Sequence, residues 1–289
     1  MASDELEATI SLMREMNIIS GDIEADRAAI PVGTPMPDGI AHEMVRVGEC
    51  TAAWITDGVR TDAALLYLHG GGYVLGGLGT HGALGARLSH DTGLAVLVLD
   101  YRLGPEHQHP AALDDALAAM TWLADQGIPA DRVVVAGDSA GGGLTLATLA
   151  ALRDRGDQAA AGVALSPWAD VTCTNATYES VGDADPLVGR HNLQQYAAAY
   201  AGDTPLDDPA LSPGLGDLAG LPPVLIQVGG IEVLLDDSVR VAEGIEAAGG
   251  EVTLQRWDEG IHVFQMFDTP ESADALGRIA EFVAARVGG

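Results

Sequence analysis

The 289-residue chain is 47% hydrophobic and 19% charged, with 37 glycines and 4% aromatic residues, a composition that excludes a disordered or fibrous protein and fits a single globular domain. Its 42 acidic residues outnumber 14 basic ones, every one of them arginine, for a formal net charge of −28. Too few basic groups remain to displace phosphate counterions, so no nucleic-acid partner is expected. No run approaches the roughly 20 apolar residues that span a bilayer, and the opening residues lack the basic and apolar regions of a signal peptide, so no membrane association and a cytoplasmic protein are expected. The acidity has two readings, solubility in high salt and drift of the surface in an arginine-rich proteome. Cys50 and Cys173 stand far apart and read as buried free thiols.

In chain order, Leu6, Ile10, Met13 and Asn17 recur at helical spacing and predict an amphipathic helix over 4–18. "PVGTPMPDG" at 31–39 then reads as an irregular crossing. Strands are predicted at 42–47, 52–55, 63–69, 94–100, 132–137, 161–166, 224–229 and 251–257, and helices near 80–91, 111–126, 141–155, 236–248 and 272–287. From the third strand on, this alternation gives an eight-stranded, mostly parallel sheet with helices on both faces, an α/β fold. Residues 167–223 are too long for a crossover and read as an insertion above the strand ends, with a helix-like "HNLQQYAAAYAG".

Ligands of open parallel sheets bind at the carboxyl ends of the strands. There, Gly137-Asp138-Ser139-Ala140-Gly141 fits G-x-S-x-G between a buried strand and a helix. Glycines at 137 and 141 permit the sharp turn that exposes a strained serine. The plainer reading is a glycine-rich helix start with a serine cap. His69-Gly70-Gly71-Gly72-Tyr73 follows the third strand and offers backbone N–H groups of the kind that hold a tetrahedral oxyanion. A phosphate loop is the alternative, but neither the G-K-[ST] ending nor a G-x-G-x-x-G helix start with a downstream acid accompanies it.

A serine nucleophile needs a base and an acid that orients the base. Of eight histidines, His262 lies just past the last strand, where its ring can reach Ser139. His69 reads as orienting the glycine loop, and His107 and His109 lack a third ligand for a metal. His42, His81, His90 and His191 read as structural. Glu232 is the first carboxylate after the seventh strand, with Asp236 its challenger; Asp236 and Asp237 also suit a helix N-terminus. The order Ser139, Glu232, His262 is the serine, acid, histidine order of α/β-hydrolases.

Together, "HGGGY" at 69–73, "DYRLGPEHQHPAALDD" at 100–115, "GDSAGG" at 137–142, "SPWAD" at 166–170, "EVLLDD" at 232–237 and "GIHVFQ" at 260–265 resemble the hormone-sensitive-lipase-like family of bacterial α/β-hydrolase esterases from about residue 60 onward. The resemblance implies that Ser139 is the nucleophile and His262 the base, and that Gly71, Gly72 and Ala140 supply the oxyanion N–H groups. It implies one domain over 1–289 with a small helical cap from about 1–40 and 170–215. Glu232 stands where most members carry aspartate, and Gly104 where alanine is usual. The implied activity is hydrolysis of small, short-to-medium acyl esters, with no cofactor or metal. "GGLGTH" and the short cap are also similar to bacterial monoterpene lactone hydrolases, so a lactone is an alternative substrate, as is a small amide. A non-catalytic binding protein on the same scaffold is a further alternative, opposed by the presence of His262. An exposed edge of the sheet allows a homodimer.

Overall fold

The computed structural model describes residues 2–16, 19–30, 36–182 and 184–288. Its center is an eight-stranded sheet built from β1 (His42–Val47), β2 (Cys50–Ile55), β3 (Arg60–Leu68), β4 (Leu94–Asp100), β5 (Val133–Asp138), β6 (Ala161–Leu165), β7 (Val224–Ile231) and β8 (Val252–Ile261). The strand order is β1-β2-β4-β3-β5-β6-β7-β8. β2 pairs antiparallel with both β1 and β4, and the pairings from β4 through β8 are parallel. The fold is thus the expected α/β-hydrolase sheet.

Central strands are apolar on both faces because helices cover both. Side chains alternate along each strand. Leu66, Leu68, Val133 and Val135 enter one core layer with α4 (Ala111–Asp125), α5 (Ala140–Asp154) and α8 (Leu235–Ala247). Leu65, Tyr67, Val134 and Ala136 enter the other, against α3 (Leu78–Thr92) and α9 (Pro270–Val287). The outer strands β1 and β8 leave large side chains in solvent, among them Met44 and Leu254. No helix among the described residues is long and apolar enough to cross a membrane. Cys50 and Cys173 are free and buried.

Two elements differ from the sequence reading. The first predicted helix appears as α1 (Asp4–Met16), while Asn17 and Ile18, like 31–35 of the predicted crossing, lie outside the described residues. A helix not expected there follows, α2 (Ile23–Ala29), capped by the Asp22 carboxylate accepting from the Ala25 N–H at 3.0 Å. Seven residues are too few to show a 3.6-residue period. β8 runs four residues beyond its predicted end at 257, because Gly229 and Gly230 let the backbone of 258–260 approach closely: a Cβ at Gly229 would lie 2.4 Å from the Gly260 carbonyl oxygen. Pairing resumes at Ile231 with Ile261 after a register shift.

The amino-terminal segment is fastened to distant parts of the chain. Asp26, fully buried, accepts from Ser20 and Gly21 and from the hydroxyl of Tyr196, which lies on α7 (Arg190–Ala201). Arg27 donates to the carbonyls of Val74 and Gly104, both at 2.8 Å, and pairs with Glu106. Ser3 binds the Glu271 carboxylate on α9 through both its N–H and its hydroxyl.

The long connection between β6 and β7 contains α6 (Thr177–Ser180) and α7 and is anchored by Asp237 on α8. The Asp237 carboxylate accepts from the N–H groups of Ala169 at 2.9 Å and Asp170 at 2.8 Å, and from Asn175. Burial, against those hydrogen bonds and helped by the Asp170 charge, pushes its pKa from 3.8 up to about 8. The folded protein therefore holds a proton that the unfolded chain releases, and this group makes stability fall as pH rises from its unfolded to its folded pKa. Asp237→Asn is expected to flatten that decline relative to the parent between pH 3.8 and about 8, as read from urea unfolding across this range; a parallel pH profile would contradict the assignment.

Candidate active site

Ser139 occupies the turn between β5 and α5 with φ 52° and ψ −119°, a left-handed conformation that costs a side-chain-bearing residue of order 1–3 kcal/mol. Three backbone hydrogen bonds hold it there: Ser139 N–H to Leu165, Trp168 N–H to Ser139 and Gly143 N–H to Ser139, at 2.8, 2.8 and 3.0 Å. The flanking glycines are required by contact. A Cβ at Gly137 would sit 2.4 Å from the Gly141 carbonyl oxygen, and one at Gly141 would sit 1.9 Å from that of Leu68.

The extension of β8 delivers His262 to this turn. Its Nε2 lies 3.0 Å from Ser139 Oγ, and its Nδ1 lies 3.7 Å from Glu232 Oε1, an ion-pair separation that a small closure brings to hydrogen-bond length. Burial draws the His262 pKa down, but Glu232, seconded by Asp185 and Asp138, overcomes it, and the ring titrates above its ordinary value of 6.5. Glu232 has no exposed surface. Asp236 instead accepts from the Thr177 N–H at 3.1 Å.

Two residues that the sequence reading did not single out complete this arrangement. Ser166, at the end of β6, donates its hydroxyl to Glu232 Oε2 at 2.8 Å and accepts from the N–H of Val263, the neighbor of His262, at 3.1 Å. It thereby ties acid and base to one hydroxyl, and its position just after a parallel strand was the signal for it. Asp185 accepts from Leu187 and Val188 on one side and Val233 on the other, linking the wall of the site to the residue after Glu232. Burial pushes its pKa up. Nothing in the local sequence marks it.

Gly71 and Gly72 adopt φ of 117° and 61° and face the same cavity as Ser139 and His262. Ala140 opens α5 directly after Ser139, where the helix N-terminus favors negative charge. His69 is fully buried, stacked on Tyr101 at 4.1 Å with its Nδ1 2.7 Å from the Gly70 carbonyl oxygen. Burial lowers its pKa to about 3, so it holds the loop as a neutral ring. His81, read as an ordinary structural histidine, borders the cavity, because α3 starts beside the glycine loop. The cavity encloses about 400 Å³, with Met13 and Met16 of α1, Leu187, Val188 and α7 residues Leu193 and Tyr196 among its apolar walls.

Comparison with known proteins agrees with this geometry. Residues 65–266 match the model of an alpha/beta hydrolase fold family. An acetyl-hydrolase of Streptomyces hygroscopicus is 41% identical over 100% of this chain and 99% of its own, and an esterase of Acinetobacter venetianus is 38% identical over 75% and 73%. The crystal structure of an esterase from the bacterial hormone-sensitive lipase family superposes with a TM-score of 0.95 at 40% identity, covering 100% of both chains.

The packing around the serine turn gives a direct test. Gly141→Ala is expected to cost about 4 kcal/mol or more, the range of severe steric lesions, as measured by urea unfolding. Parent-like stability would show that the turn tolerates a side chain there.

Proposed function

From the premise that the chain belongs to the bacterial hormone-sensitive-lipase-like family of α/β-hydrolases and is a carboxylic ester hydrolase, we propose that Ser139, His262 and Glu232 hydrolyze short-to-medium acyl esters through an acyl-enzyme. The observation that carries this reading is the 3.0 Å approach of His262 Nε2 to Ser139 Oγ at the floor of an apolar cavity.

In the first half-reaction Ser139 Oγ attacks the ester carbonyl carbon while His262 Nε2 takes its proton. The carbonyl oxygen becomes an oxyanion, received by the N–H groups of Gly71, Gly72 and Ala140. Glu232 stabilizes the imidazolium, and Ser166 keeps the Glu232 carboxylate turned toward it. Collapse of the tetrahedral intermediate breaks the bond to the alcohol, which leaves with the proton from His262. Water repeats the cycle on the acyl-enzyme and releases the acid. A volume of about 400 Å³ sits at the small end of ligand pockets, roughly 300–1,000 Å³, which supports small substrates. In this reading α1, α2 and the 170–215 segment form a cap that closes the acyl site from water.

Ser139→Ala is expected to lower hydrolysis of p-nitrophenyl butyrate by about 10⁴-fold or more, and undiminished turnover would sink the mechanism. Glu232→Ala should lower kcat by roughly 10²–10⁴-fold, the scale of losses when the orienting acid of a triad is disabled, while Asp236→Ala stays within about threefold of the parent because a change away from the reacting groups removes no transition-state contact; the reverse pattern would move the acid to Asp236.

Activity requires the neutral His262 ring. Because its pKa is raised, the acid limb of kcat/KM should lie above pH 6.5, and Glu232→Gln should move that limb to lower pH. A limb unmoved by Glu232→Gln would mean that another group controls it.

A further inference from the structure

Asp138 ends β5 one residue before the nucleophile, and none of the steps above uses it. It is 2% exposed. One carboxylate oxygen, Oδ1, accepts from the Tyr67 hydroxyl at 2.6 Å and from the Gly70 N–H at 3.0 Å. The other, Oδ2, lies 3.4 Å from His81 Nε2. His81 Nδ1 is engaged with the Thr80 hydroxyl at 2.7 Å, so Nε2 is the nitrogen that faces the carboxylate. The fit against Gly70 leaves no room for a side chain, since a Cβ there would fall 2.1 Å from Asp138 Oδ2.

A buried carboxylate beside a forming oxyanion is costly by itself, because like charges repel strongly where little water screens them. The negative charge has a compensating use. Hydrogen bonds to an ionized acceptor are roughly twice as strong as neutral ones, and this one fixes an N–H at the root of a loop made of three glycines. The Asp138 pKa is held below its ordinary value in spite of burial, by His81 and then Tyr67, which keeps the carboxylate ionized. Gly70 is followed at once by Gly71 and Gly72, both left-handed; the Gly70 and Gly71 carbonyls are held by His69, Val74 and Leu75, and Asp138 adds the grip on the Gly70 N–H.

We propose that Asp138 is a positioning residue: held by Tyr67 and His81, it grips the Gly70 N–H and so aims the Gly71 and Gly72 N–H groups at the substrate carbonyl oxygen. This rests on the assignment of Gly71 and Gly72 as oxyanion donors.

The test compares a probe that forms an oxyanion with one that does not. Butyl trifluoromethyl ketone adds Ser139 Oγ to its carbonyl carbon, passes the serine proton to His262 and leaves an oxyanion; butyramide, a neutral amide, occupies the site without one. Asp138→Ala is expected to lower kcat for p-nitrophenyl butyrate about a hundredfold, the scale of losing one oxyanion donor, and to weaken ketone inhibition by a similar factor. KM and butyramide inhibition should stay within about twofold, since neither involves the oxyanion. Asp138→Asn keeps an oxygen for Gly70 and Tyr67 and should recover to within about tenfold of the parent.

Parent-like kcat and ketone inhibition in Asp138→Ala would overturn the proposal, as would equal losses in ketone and butyramide inhibition. Should Asp138→Ala not fold, Tyr67→Phe decides: kcat and ketone affinity should fall together by about tenfold, and parent-like values would overturn the proposal. A parent protein on which the ketone binds no better than butyramide would instead refute the oxyanion assignment itself.

Discussion

The backbone at Ser139 is the constraint on which the rest of the site depends. A left-handed residue between a buried strand and a buried helix persists only where its surroundings leave no alternative. Here the alternatives are removed by main chain packed on main chain: Leu68 against Gly141, Gly141 against Gly137, and the ends of β6 and its following loop bonded to Ser139 itself. Four segments must be in register before the serine can stand where it does. The hydroxyl then stands 3.0 Å from His262 Nε2 at the cavity, and every other functional group is placed relative to that point.

Four acids, three of them buried and Asp185 half-buried, surround this center, and each is kept in place differently. Glu232 shares a hydroxyl with the backbone beside the histidine it faces. Asp138 is matched by a phenol, an amide and an imidazole. Asp185 is met by three backbone N–H groups and Asp237 by two together with the Asn175 amide. In a chain of net charge −28, acids are tolerable indoors because each is supplied with local donors, and Asp237 keeps its proton up to about pH 8. The surface charge is screened by solvent and leaves that interior accounting untouched.

Much of this was legible in the sequence because it rests on local signals. The eight strands follow from apolar runs at the spacing of a parallel sheet, and the serine turn follows from two glycines bracketing one residue where strand character gives way to helix. Glu232 is preferred to Asp236 in the sequence for its position after the strand, and the structure sets its Oε1 3.7 Å from His262 Nδ1 while Asp236 meets the Thr177 N–H. Ser166 was harder to see, since it acts on residues 66 and 97 positions away, and no window along the chain contains both. His81 was read as structural because its meaning comes from Asp138, a strand and a helix distant. β8 was read short because Asp258, Glu259 and Gly260 have turn-like composition, and only the absent side chains of Gly229 and Gly230 on the neighboring strand allow them to pair.

The fastening of the amino-terminal segment sets the order in which the molecule is completed. Asp26 waits for Tyr196, 170 positions later, and Ser3 waits for Glu271, 268 positions later. During synthesis residues 3 and 26 are therefore seated late, only after Glu271 and Tyr196 have emerged. Loop closure over such distances follows sheet assembly rather than guiding it. Until then the growing chain lacks Met13 and Met16 from the wall of the cavity that Ser139 and His262 face, and that wall is completed only when residues far apart in sequence meet.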